Sequence, residues 1–78
     1  MLTRSQIQQV IRRALQLPAD YVLADDNRPA FVPGWDSMGW LQVIAALEEA
    51  GGKELPLDAF DDVVTVGEFC EAVARVQS

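Results

Sequence analysis

Residues 34–52 read GWDSMGWLQVIAALEEAGG, and this stretch decides the fold. Asp36 and Ser37 are residue types that cap the amino terminus of a helix, because their side-chain oxygens accept hydrogen bonds from backbone N–H groups. A glycine pair closes the stretch, as is typical of a helix C-cap. The sequence therefore predicts a helix over residues 38–50.

This helix has two different faces when its residues are placed at about 100 degrees per residue, as an α-helix requires. The side chains expected to face the core are Trp40, Val43, Ile44 and Leu47. The opposite face is formed by Met38, Leu41, Gln42 and Ala45, with Glu48 and Glu49 at its edges. One face is therefore a candidate surface for binding other molecules.

Two further helices are predicted from capping boxes, in which a hydroxyl and a side chain three residues later bond to each other's backbone N–H groups. Thr3 and Gln6 form one such pair, and Thr65 and Glu68 form the other. Each pair precedes apolar residues at helical spacing. The sequence thus predicts a first helix before Pro18 and a last helix from Thr65.

The segments between these helices differ in length. Residues 17–36 have no periodicity but are too apolar for a free linker, so we expect them to lie along the helices. Residues 58–62 are long enough for one or two helical turns. The predicted fold is all-α: a small bundle of three main helices plus one short helix, with a long loop between helices one and two.

Composition excludes several classes of function. The 78 residues are expected to form one domain over positions 1–78, and they contain no histidine and a single cysteine, Cys70. The chain therefore lacks a Cys/His metal set, a Ser/His or Cys/His catalytic pair and an internal disulfide. We expect neither an enzyme nor a metal site.

The charge pattern indicates which partners to expect. The net charge is −6, and the first 17 residues contain three arginines and no acid. Nucleic acid is therefore an improbable partner, and a basic protein surface is a better one. The longest aliphatic run, residues 43–47, is far below the roughly 20 residues of a membrane span. We expect a cytoplasmic monomer.

The order of motifs resembles the acyl carrier protein family over essentially the whole chain. An isolated Asp-Ser pair is only a helix cap, but here it follows a long loop and precedes several further matching segments. These are Asp36-Ser37-Met38, Ala46-Leu47-Glu48-Glu49, Leu55-Pro56-Leu57, a short acidic segment and Val64-Thr65-Val66-Gly67-Glu68. The resemblance implies that the Ser37 hydroxyl carries 4'-phosphopantetheine and that Asp36 is its companion in the motif.

The resemblance also implies a set of partners. These are a phosphopantetheinyl transferase, an acyl- or aminoacyl-loading ligase and downstream synthase or transferase enzymes, recognised mainly through helix two. The sequence departs from the family because Gly39 and Gln42 stand where acids are common. We therefore expect recognition through the apolar Met38, Leu41 and Ala45, with acids such as Glu48 and Glu49 forming a rim.

The cargo is less directly indicated. The Asp-Ser-Met-Gly run resembles carriers of amino acids and carriers of polyketide and peptide pathways. This resemblance favours specialised metabolism. The initial methionine favours a discrete carrier. In the family, long acyl chains can enter a cavity near the first turn of helix two, where Trp40 would occupy space; this predicts small or polar cargo. The alternatives are that Trp40 only completes the core and that the protein is an unmodified acidic helical interaction module.

Overall fold

A computed structural model describes residues 2–77 of the chain. The α-helices are α1 (Arg4–Ala14), α2 (Ser37–Gly51) and α3 (Val66–Gln77), and two 3-10 turns lie at Pro29–Phe31 and Leu57–Phe60. Within residues 2–77 there is no β-strand. The predicted all-α bundle with its long first loop is confirmed. The short element predicted at 58–62 is a 3-10 turn, because it begins after the extended Pro56 and ends once Phe60 enters the core.

Helix α1 begins with the predicted capping box. The Thr3 hydroxyl accepts from the Gln6 N–H at 3.1 Å, and the Gln6 side chain accepts from the Thr3 N–H at 2.8 Å. Ile7 and Ile11, four residues apart on one face, are fully buried. These side chains hold α1 against the core, and α2 is the helix with which α1 makes its main contact.

Helix α3 is also capped as predicted. The Glu68 carboxylate accepts from the N–H groups of Val64 at 2.8 Å and Thr65 at 3.3 Å, and the Thr65 hydroxyl accepts from the Glu68 N–H at 3.2 Å. Its buried residues are Val66, Gly67, Phe69, Cys70, Ala72 and Val73. The apolar stripe of the last helix is thus entirely in the core.

The long loop lies along the helices, as its apolar composition predicts. Leu23 and Val32 enter the core. Two backbone hydrogen bonds join the loop to the start of α3, from Val66 N to the Asn27 carbonyl at 2.8 Å and from Gly67 N to the Asp25 carbonyl at 2.9 Å. The segment that leads to Ser37 is therefore part of the folded structure.

An aromatic cluster lies beside the first turn of α2, where the partly buried Trp40 packs against the core. Trp35 lies 5.1 Å from Trp40 and 5.4 Å from Phe69, measured between ring centroids. Phe69 lies 5.5 Å from Trp40 and 5.1 Å from Phe60. These separations are in the range in which aromatic pairs attract each other, so the cluster joins the loop, α2 and α3.

The two ends of the described chain meet at the carboxyl end of α2. The Leu2 N–H donates to the Gln77 side-chain carbonyl at 3.0 Å, and Lys53 Nζ donates to the Gln77 backbone carbonyl at 3.2 Å. Both Leu2 and Gln77 lie beside Gly51. Over residues 2–77, no helix combines the length and apolar character needed to cross a membrane.

Candidate functional site

Ser37 is the first residue of α2, and it is exposed. The preceding Asp36 is the N-cap: its carboxylate accepts from the Gly39 N–H at 2.9 Å, and its backbone carbonyl accepts from the Trp40 N–H at 2.9 Å. Asp36 thus fixes the direction in which the helix starts. The Ser37 hydroxyl is left accessible at the junction between loop and helix.

The loop reaches this junction through a close contact between two glycines. Gly34 has a φ of +82°, a left-handed conformation that glycine adopts at little cost. Gly39, in the first turn of α2, is buried, and a Cβ at this position would overlap the Gly34 carbonyl oxygen. The absence of an acid at position 39 therefore has a steric cause, which sequence reasoning missed because the contact joins loop and helix.

A shallow, open depression of about 520 Å³ lies beside Ser37, and residues 30–37 line it. Phe31 at its rim is 79% exposed, whereas Trp35 at its base is 3% exposed. The Trp35 indole N–H makes no hydrogen bond to the rest of the described chain. The surroundings of the serine are therefore mainly apolar and backbone in character.

These features fit a phosphopantetheine group on Ser37. A phosphodiester there would stand at the positive end of the α2 dipole, which favours an anion. The exposed hydroxyl can be reached by a modifying enzyme, and the adjacent depression leaves room at the point of attachment. Ser37 would hold the group, Asp36 would fix the helix start, and the group itself would supply the thiol that forms a thioester.

The outer face of α2 is open to solvent. Met38 is 69% and Leu41 56% exposed, and Gln42, Ala45 and Glu49 are exposed as well. Glu48 differs because it is partly buried and its carboxylate accepts from the Leu55 N–H at 2.8 Å. The structure thus brings five of the six predicted partner-binding residues together on an exposed surface, while the Glu48 carboxylate also holds the turn after α2.

Other reactive side chains lie away from this site. Cys70 is buried on α3, and burial raises the pKa of its thiol above the ordinary value of 9.0. In the part of the chain that the structure describes, no three His, Cys, Asp or Glu side chains are grouped so as to hold a metal ion. The reactive group that Ser37 itself presents is a hydroxyl on an exposed residue.

Comparison with known proteins gives the same indication. A family model described as a phosphopantetheine attachment site matches residues 5–73. The acyl carrier protein of Sinorhizobium fredii (strain NBRC 101917 / NGR234) and the acyl carrier protein AcpP of Rhizobium meliloti (strain 1021) are each 36% identical to this chain over 45 residues. Each alignment covers 58% of this chain and 58% of the relative, so the chain matches little more than half the length of these curated proteins. No solved structure matches the chain significantly.

The family model spans all of α1 and α2 except Arg4, and it includes Asp36 and Ser37. The family model describes the attachment of phosphopantetheine, and the exposed Ser37 at the start of α2 lies within the residues that it matches. The chain belongs to the phosphopantetheine-attachment family, whose prosthetic group is 4'-phosphopantetheine.

Proposed function

We propose that Ser37 carries the 4'-phosphopantetheine arm and that residues 1–78 act as a single carrier domain. The arm would hold acyl or aminoacyl groups as thioesters, and separate enzymes would load and use them. The observation that carries this proposal is the exposed Ser37 hydroxyl at the amino terminus of α2, within the matched family region.

Intact mass spectrometry tests the attachment site. After incubation with a phosphopantetheinyl transferase and coenzyme A, the protein should gain the mass of one phosphopantetheinyl group. Ser37→Ala should gain nothing, whereas Ser5→Ala, which changes an exposed serine on α1, should be modified like the unaltered protein. An unmodified wild-type chain would instead support an acidic interaction module. Modification of Ser37→Ala would place the arm on another residue.

The cargo proposed for this carrier is small or polar, as in polyketide- or peptide-type specialised metabolism. The support is the aromatic cluster beside the first turn of α2, where Trp40 packs against Trp35 and Phe69. Protein interiors are close-packed, so an acyl chain could enter this region only if the rings moved apart. A small cargo on the arm would need no such rearrangement.

Loading the arm with a short and with a long acyl chain distinguishes the two kinds of cargo. We expect amide chemical-shift changes to stay near Ser37 for both chains. Shifts that spread along α2 and α3, together with marked heat stabilisation by the long chain, would contradict this proposal. In Trp40→Ala the long chain should produce the spread shifts, at a stability cost of up to about 3–5 kcal/mol.

The proposed partners are a phosphopantetheinyl transferase, a loading ligase and downstream synthase or transferase enzymes. The surface proposed to bind them is the outer face of α2. Its residues are Met38, Leu41, Gln42, Ala45, Glu48 and Glu49. The support is that Met38 and Leu41 expose large apolar side chains within one helical turn of Ser37.

A further inference from the structure

The contact between Gly34 and Gly39 sets the path of the chain just before Ser37. A Cβ at position 39 would overlap the Gly34 carbonyl oxygen and would lie 3.1 Å from the Gly34 carbonyl carbon. Contacts below 3.0 Å essentially never occur for real Cβ atoms. The first turn of α2 and the loop can therefore touch as they do only if residue 39 has no side chain.

Leu15 closes the other side of this contact. Its Cδ2 atom would lie 3.1 Å from a Cβ at Gly39, and its carbonyl oxygen would lie 3.5 Å from a Cβ at Gly34. The Gly34 backbone is thus held between the carboxyl end of α1 and the first turn of α2. We call Leu15, Gly34 and Gly39 the loop clamp.

The loop clamp determines where the serine hydroxyl is placed. Only Trp35 and Asp36 separate Gly34 from Ser37, and both are fixed: Trp35 is buried, and Asp36 bonds to the Gly39 N–H. A side chain at position 39 must therefore displace the loop, the helix turn or both. An alanine would by itself favour the helix, so the glycine serves the contact and not helix stability.

We infer that Gly39 is a positioning residue for modification of Ser37: by admitting the Gly34 carbonyl, it holds the serine hydroxyl where a phosphopantetheinyl transferase can use it. This inference rests on the proposed function of Ser37. In this inference, Gly39 leaves space for the loop. The neighbouring Met38 and Leu41 are exposed and remain available to bind the partner.

The experiment compares two glycine-to-alanine substitutions at opposite ends of α2. Gly39→Ala places a Cβ in the loop clamp. Gly51→Ala places one beside the flexible end of the Gln77 side chain, remote from the serine, and is the matched control. Steady-state transfer from coenzyme A is measured against carrier concentration, so that kcat and KM are obtained separately.

We expect kcat to fall about 10- to 100-fold in Gly39→Ala, the effect of a displacement of about 1 Å of a reacting group, with KM nearly unchanged. Amide shifts should change at residues 34–37 while helix content is retained. Gly51→Ala should keep the wild-type kcat. A Gly39→Ala protein with wild-type kcat and unchanged shifts would overturn the inference.

Leu15→Ala tests the same clamp without adding an atom. Because this substitution loosens the loop from the α1 side, kcat should fall while KM stays near the wild-type value. An unchanged kcat would count against the inference. This test remains valid if Gly39→Ala does not fold. Failure of the proposed function has a different signature, because then neither the wild-type protein nor Gly51→Ala gains mass.

Discussion

Cys70 shows how strongly a side chain depends on its surroundings in this small core. It is the only thiol of the chain, and it lies buried on α3 with Phe69 and Val73. Burial is the main reason that its pKa is raised, and the charges of Asp25 and Glu71 add to the effect while Arg4 opposes it. A thiol in these surroundings is a packing group, as its place on the apolar stripe predicts.

The raised pKa of Cys70 predicts a loss of stability at alkaline pH. Below the ordinary thiol pKa of 9.0, the thiol is protonated in both the folded and the unfolded chain. Above it, the unfolded chain loses this proton first, so the free energy of unfolding falls, by at most about 1.4 kcal/mol per pH unit for one group. Urea denaturation between pH 7 and 10 should show a steeper fall for the wild type than for Cys70→Ala. Equal slopes would show that the thiol ionises equally in both states.

The helices were predictable because their signals are local. The capping pairs at Thr3 and Thr65 lie within four residues of the backbone groups that they bind, so the sequence alone indicates where α1 and α3 start. The contact of Gly39 with Gly34 was not predictable, since it depends on how the loop crosses the helix. Periodicity could likewise place Glu48 at the edge of the outer face. It could not predict the hydrogen bond from the Leu55 N–H to the Glu48 carboxylate, because that bond depends on the path of the chain after α2.

The N-cap of α2 offers a direct test of how the helix start is held. Asp36→Ala removes the acceptor for the Gly39 N–H and should lower the free energy of unfolding by about 0.5–2 kcal/mol. Asp36→Asn keeps an oxygen in place and should retain most of the stability, because asparagine is an equally good cap. Chemical denaturation of the two variants measures the difference. Equal losses would mean that the charge of Asp36, and not its hydrogen bond, stabilises the helix.

Charge is distributed unevenly over the complete fold. All charged residues among the first 17 are basic, the chain as a whole carries −6, and no charged side chain occurs between residues 37 and 47. A partner attracted over a distance would meet the acidic remainder of the chain, while a partner docked at Ser37 would meet apolar side chains. Salt can separate these two contributions, because it screens charges but leaves apolar contacts in place.

Substitutions on α2 should therefore affect transfer more than salt does. Met38→Glu and Leu41→Glu should weaken transfer from partner enzymes, with the fold intact, because both side chains are exposed. Glu49→Gln, on the same helix, should have a small effect, and raising the salt from low to physiological concentration should inhibit only moderately. Transfer assays at two salt concentrations measure this. A steep loss with salt, combined with a harmless Met38→Glu, would assign recognition to the acids.

The hydrogen bond between Leu2 and Gln77 places both ends of the described chain far from Ser37. Both residues lie beside Gly51, and the 15-residue helix α2 places Ser37 at the opposite end, about 20 Å away. Anything fastened to the chain near residue 2 or residue 77, such as a fluorophore, a bead or another polypeptide, would hold the protein from the end remote from the serine. Attachment near either residue 2 or residue 77 would thus leave the surface around Ser37 accessible.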